Sequence, residues 1–183
     1  MATGDSDNAS SAVNQQERLE AYIAGFVDGE GCFHVAIQRN ESTSVGWQLV
    51  PEFRVSQDVA RREVLDLIRA TLGCGWIRQN HRHSNDHTYV LVVRRRPDLL
   101  GRVIPFVERN PLLSAKQLEF LTFAGIVRAM SAGEHQTSSG FDRLAAEARR
   151  MNGGGRYRRL QRAIVQTPES SETRCQARTT VGA

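Results

Sequence analysis

Two carboxylates, Asp28 and Glu30, alternate with two glycines, Gly29 and Gly31, at the end of the segment Tyr22-Ile-Ala-Gly-Phe-Val-Asp-Gly-Glu-Gly31. Ahead of them, Leu19, Tyr22, Ile23, Phe26 and Val27 fall at i, i+3, i+4, i+7 and i+8, which predicts a helix over Glu17 to Asp28. Both acids therefore sit at a helix C-terminus. The macrodipole disfavours negative charge there, and glycine suits the left-handed turn that ends a helix. Two compensations are open. A divalent cation with oxygen ligands would hold the acids, which is the chemistry of metal-assisted hydrolysis; alternatively, either carboxylate bonds backbone amides of the next turn. A second feature lies on the opposite side of the same helix. Ala21, Ala24 and Gly25 strip side-chain bulk from two turns, so another helix could approach backbone to backbone, from the same chain or from a second copy.

Such residues need a scaffold. Cys32 to Arg39 alternates, with Phe33, Val35 and Ile37 on one face and Cys32, His34, Ala36 and Gln38 on the other, the pattern of a half-buried strand. After the polar loop Asn40 to Gly46, a second run from Trp47 to Gln57 completes a hairpin with Phe53 and Val55 inward and Glu52, Arg54 and Ser56 outward. Arg61 to Leu72 reads as a helix with Val64, Leu65, Ile68 and Leu72 as its stripe. Trp76 to Arg82 and Thr88 to Arg95 form a second hairpin around His83 to His87, and helices follow at Pro97 to Glu108 and Ser114 to Met130. This order is an α+β plan, αββαββα, in which each hairpin presents one polar face. The domain is expected over residues 15–130, preceded by a disordered tail at 1–14. A linker at 131–140 leads to a basic helical extension at 141–165 and a tail at 166–183.

Charge points to phosphates. The net charge of +4 combines −3 on residues 1–20 with +7 on the rest, and arginines cluster at 61–62, 94–96, 149–150 and 156–159. That is the footprint of a nucleic-acid-binding surface, or of a solvated arginine-rich one. Of the 24 basic residues only Lys116 is lysine. Three cysteines without C-x-x-C spacing support neither a disulfide framework nor a cysteine zinc site. The N-terminal residues lack a signal-peptide pattern and no run suits a membrane span, so an intracellular, cytoplasmic location is expected.

Ile23-Ala-Gly-Phe-Val-Asp-Gly-Glu-Gly31 resembles the signature of the LAGLIDADG homing endonucleases, and the resemblance extends over about residues 17–130. It implies that family's fold, with a curved antiparallel sheet forming a DNA-binding saddle. Because members with one motif act as homodimers, it also implies a C2 dimer packed through Ala21, Ala24 and Gly25. A partial second copy, Phe123-Ala-Gly-Ile-Val-Arg128, lacks the acids and reads as core helix. Under the resemblance, Glu30 binds Mg²⁺ (or Mn²⁺) beside the scissile phosphate, Gly29 adds its carbonyl, and Asp28 closes the helix end. Gln57 and Arg61 match the family's Q-x-x-x-R near the attacking water. Lys116 resembles the active-site lysine, although Ala115 replaces one member of the usual Lys-Lys pair.

Double-stranded DNA would be read by the polar hairpin faces, since a β-ribbon fits the major groove. The candidates are His34, Gln38, Gln48, Arg54, Trp76, Arg78, Asn80, Arg82 and Tyr89. Arg156 to Arg159 could clamp the backbone. Two other readings compete: a histidine-based metal or nuclease site at His81, His83 and His87 with Asn85 and Asp86, and a non-catalytic binder of the same fold. The binder would be an RNA maturase acting on intron RNA or a transcriptional regulator. Retention of Glu30, Gln57 and Lys116 favours the nuclease, which is expected to be intron-encoded and free-standing.

Overall fold

The computed structural model describes residues 5–80 and 87–151, with side chains of the first helix from residue 13 onward. In chain order the elements are α1 (Asp5–Glu30), β1 (Gly31–Arg39), β2 (Trp47–Asp58), α2 (Glu63–Leu72), β3 (Trp76–Gln79), β4 (Thr88–Val93), α3 (Arg96–Asp98), α4 (Ile104–Arg109), α5 (Lys116–Ser131) and α6 (Ser138–Met151). The α+β plan read from the sequence is the observed one. Four antiparallel strands form one sheet in the order β1-β2-β4-β3.

Strand alternation sends Phe33, Val35, Phe53, Val55, Leu91 and Val93 to one face, where they merge with the helices' buried side chains into a single core. Phe33 is its aromatic centre: its ring lies 5.2 Å from Phe53, 5.3 Å from Phe120 and 5.4 Å from Phe123, all within aromatic packing range. The imitation of a second motif falls here. Phe123, Ala124, Ile126 and Val127 are buried, and Arg128 pairs with Glu108 at 2.8 Å, so this stretch is core helix.

Several boundaries move. Helix α1 begins at Asp5, within the stretch expected to be disordered. Residues 13–18 are exposed, so this part of the helix needs no apolar stripe; Asp5 and Asp7 suit a positive helix start, and Ala9, Ala12, Gln15 and Gln16 suit helix. β3 ends at Gln79, and the hairpin is closed by Asn80 N–H donating to Thr88 O at 2.8 Å. The helix expected over Pro97 to Glu108 is in three pieces, with a π-helical turn at Leu99–Val103 between α3 and α4. Pro105 explains it: it has no N–H to return to Gly101, so the regular ladder cannot run through.

The largest difference is at the C-terminal side. One compact unit runs through to Met151, and Phe141, Leu144, Ala145, Ala148 and Met151 of α6 are buried in the same core as the sheet. The expected linker is structured as a 3-10 turn, Glu134–Gln136. Gly140 lets α6 press onto that turn, since a Cβ there would meet Glu134 O at 1.9 Å. Arg143 then pairs with Glu134 and, at 2.9 Å, with Glu147. Among the described residues no helix is long and apolar enough to cross a membrane.

Candidate active site

At the end of α1 the two acids have different fates. Asp28 reaches across to the segment that precedes α5. Its carboxylate accepts from Leu113 N–H at 3.1 Å, from Ser114 N–H at 3.0 Å and from the Ser114 hydroxyl. The Ser114 hydrogen bond, helped by those amides and by Lys116, holds its carboxyl below the ordinary carboxylate range. Lys116 answers from the other side: its ammonium donates to Val27 O at 3.2 Å and to Gly29 O at 3.1 Å. An acid is therefore held just ahead of the start of α5 while a cation caps the end of α1, both in the sense that the helix dipoles favour. This reciprocal lock compensates Asp28.

Glu30 is left over. It is the exposed last residue of α1, and no hydrogen bond or ion pair ties it to any described residue. The chain then turns directly into β1 at Gly31, where a Cβ would lie 2.5 Å from Val27 O; only glycine lets helix and strand meet so closely. Gly31 pairs with Val55, so the last residues of β2, Ser56 to Asp58, run on past the β1 pairing beside the α1 terminus. Gln57 is half-buried there, its side-chain oxygen accepting from Asp58 N–H at 2.8 Å. Arg61 ends the following 3-10 turn, Val59–Arg61, and is exposed. The structure thus brings Glu30, Gly29 and Lys116 to one end of the sheet with Gln57.

Mg²⁺ typically takes one or two protein carboxylates and fills its remaining positions with water and substrate phosphate oxygens. One chain offers the free Glu30 carboxylate, and the Gly29 carbonyl already accepts from Lys116, leaving its second lone pair. No cluster of three or more His, Cys, Asp or Glu exists among the described residues. The donor set fits a cation shared with phosphates, and does not form a closed protein cage.

On the small-residue side of α1, Ala21 and Gly25 are exposed but Ala24 is buried within its own chain. Ala24 thus leaves the expected seam. Tyr22, assigned to the core by periodicity, is instead 50 % exposed, because the core takes Ile23 and Val27 from a narrower stripe.

The face of the sheet away from the helices carries most of the DNA-reading candidates. In register, Cys32, Arg54, Val92 and Trp76 form one row, and His34 pairs with Glu52. Gln48 links Asn40 and Gln38, accepting from Asn40 at 2.8 Å and donating to Gln38 at 3.2 Å. Arg78 folds back onto the carbonyls of Gln79 and Asn80 at 3.2 and 3.3 Å. Tyr89 belongs elsewhere: it shares the parity of Leu91 and Val93, on the core face, and Arg62 lies 4.9 Å over its ring. Nor is the outer face uniformly wet, for Val90 and Val92 are buried on β4, an inner strand flanked on both sides. Arg82, the residues His81, His83, Asn85 and Asp86 of the histidine reading, and Arg156 to Arg159 lie outside the described residues. Partial burial pushes the Cys74 thiol up to about 11, so it supplies no thiolate nucleophile at neutral pH.

Two residues on this face were not singled out from the sequence. Glu52 is buried, and both its oxygens are held by arginines, Arg54 and Arg94. The available signal was one acid at an outward position between arginine-bearing strands.

The family profile described as "LAGLIDADG endonuclease" matches residues 23–127. The crystal structure of the homing endonuclease I-TnaI superposes with a TM-score of 0.71 at 38 % identity, covering 80 % of this chain and 95 % of that one. The archaeal intron-encoded homing endonuclease I-Vdi141I, solved in complex with DNA, gives a TM-score of 0.71 at 30 % identity over 82 % of this chain and 94 % of that one. Probable intron-encoded endonuclease 3 of Neurospora crassa is 28 % identical over 145 residues, 79 % of this chain, and this chain spans only 27 % of that relative's length. With the signature at the α1 terminus, one such motif in the chain and a fold shared at these levels, the chain belongs to the LAGLIDADG homing endonuclease family, in its single-motif size class.

Proposed function

We propose that this chain is a divalent-metal-dependent DNA endonuclease that acts as a homodimer and cuts both strands of a long pseudo-palindromic site. The observation that carries this reading is the contrast at the α1 terminus: Asp28 is consumed by three structural hydrogen bonds, while Glu30 is exposed and unpartnered among the described residues. A carboxylate that stabilises nothing in its own fold is available to a ligand. Mg²⁺ or Mn²⁺, when bound, would polarise a phosphodiester and lower the pKa of coordinated water. Glu30, with the Gly29 carbonyl, would hold that ion. Gln57 and Arg61 would orient the water network near the scissile phosphate, and Lys116, fixed on the α1 carbonyls, would set one positive charge beside the developing negative charge. Arg54, Trp76, Gln38, Gln48 and His34 would face the major groove, with Arg78 and Asn80 toward the hairpin end.

One chain supplies one Glu30, and cutting two strands calls for two. The exposed Ala21 and Gly25 surface, flanked by the exposed apolar Tyr22 and Leu113, is suited to packing against a second copy. Gly25 has open space where a Cβ would go, so Gly25→Leu leaves the monomer folded. Its branched side chain would instead separate the two helices, weakening dimerisation by about 5- to 150-fold, the equivalent of about 1–3 kcal/mol of overpacking. Sedimentation at a fixed concentration measures this, and one subunit per DNA site for the wild type would overturn the dimer.

Selection of cleaved sites from a randomised DNA library in Mg²⁺ tests the function directly. Defined cleaved sites support it. Selective binding without cleavage under any divalent metal would replace it with the regulator or maturase reading. Lys116→Arg keeps the charge but not the compact ammonium between two carbonyls. It is expected to slow cleavage about 10²-fold, as a misplacement of about 1 Å can, with DNA affinity within about twofold; an unimpaired rate would reduce Lys116 to a helix cap.

A further inference from the structure

Glu52 is the one polar or charged side chain buried among the described residues, at 2 % exposure. It lies on the sheet face away from the helices, in the middle of β2 opposite His34. A carboxylate removed from water is costly unless both oxygens are paired. Here both are: one oxygen accepts from Arg54 Nε and the other from Arg94 Nε. Arg54 stands two residues along the same strand. Arg94 follows Val93, whose pairing with Phe53 brings it beside Glu52. The terminal nitrogens of both guanidiniums have no hydrogen-bond partner among the described residues, and the two side chains are 37 % and 47 % exposed.

We propose that Glu52 is a positioning residue for base readout, holding the Nε edges of Arg54 and Arg94 so that their terminal nitrogens form two preset forks for guanine in the major groove. The proposal rests on the DNA endonuclease reading and deepens it. Guanine offers O6 and N7 as adjacent acceptors, the pair that a planar guanidinium matches in a bidentate way. The carboxylate lowers the cluster's charge from +2 to +1, which weakens general attraction to phosphates. What it provides in exchange is fixed orientation, because two long, flexible side chains are ordered before DNA arrives. That exchange favours a surface that reads bases over one that only grips backbone. Arg94 thereby joins the readout residues, and Glu52 acts only through its two arginines.

Site selection from a randomised library tests this with the full-length wild type, Arg54→Lys, Arg94→Lys, Glu52→Gln and the combined variant, alongside thermal unfolding. The wild type is expected to enrich guanine at two positions in each half-site. Each lysine variant should lose that preference at one position by about tenfold, with affinity for unrelated DNA at the same salt within about twofold, since charge is kept. Glu52→Gln should lose both preferences at once and add nothing in the Arg54→Lys/Arg94→Lys background. Should Glu52→Gln not fold, Glu52→Asp, which keeps the charge but withdraws the carboxylate by one methylene, must give the same paired loss. A lower Tm with an unchanged base profile would make Glu52 purely structural and overturn its role while leaving the endonuclease reading intact. A wild type that selects no sequence at all would overturn both.

Discussion

Glu30→Gln is expected to leave the protein folded and bound to DNA while cutting strand cleavage by about a thousandfold or more. The size follows from the role proposed for Glu30, the charged ligand of a metal that would stabilise the transition state by several kcal/mol, about 4 kcal/mol being a thousandfold in rate. That the fold survives follows from position: Glu30 is exposed and makes no hydrogen bond or ion pair with any described residue, so the amide deprives nothing of a partner. Asp28 would behave differently, because its replacement strips Leu113, Ser114 and, indirectly, the start of α5 of their acceptor. Plasmid cleavage in Mg²⁺, paired with a mobility-shift titration and a thermal melt, separates the effects. Cleavage that survives Glu30→Gln and disappears in His83→Ala would move the chemistry to the histidines.

Leu144→Ala, away from the candidate site, should produce a large loss of stability. Leu144 is fully buried in α6 within the core shared with the sheet. Truncating such a leucine costs about 2–5 kcal/mol, the transfer of the lost methyls plus the cavity left behind. Domains are stable by only about 5–15 kcal/mol, and at about 2–4 °C per kcal/mol for a chain of this size the melting temperature should fall by roughly 5–20 °C. Were residues 138–151 a separate extension, the substitution would leave the main transition untouched.

Periodicity found every strand and most helices, because alternation and the 3.6-residue repeat are local consequences of which side meets the core. It failed where that logic does not apply. The first turns of α1 are polar and show no apolar stripe, so their composition read as disorder. Tyr22 fitted the helical pattern yet faces outward, and Ala24 fitted the small-residue seam yet faces inward. A pattern gives the period of a helix face, while its phase is set by the partners that pack against it. The segment 131–140 looked like a linker because its glycines and serines are typical of one; Gly133 and Gly140 instead shape a tight turn that returns α6 to the core.

By itself the sequence determined that a helix ends in two acids and that two hairpins follow, and it placed the chain's one lysine in a segment that resembles the family's lysine segment. These depend on residue type and near-neighbour spacing, which the chain carries in one dimension. The tertiary structure decided how those residues divide the work. Asp28 and Lys116 lie 88 positions apart, and only the packing of α5 against α1 exchanges their charges between helix ends, leaving Glu30 free. Glu52 became an anchor for two arginines only when β4 was laid beside β2. Both outcomes are electrostatic pairings between segments distant in the chain, and such pairings are fixed by the fold's register and packing, not by the order of residues along it.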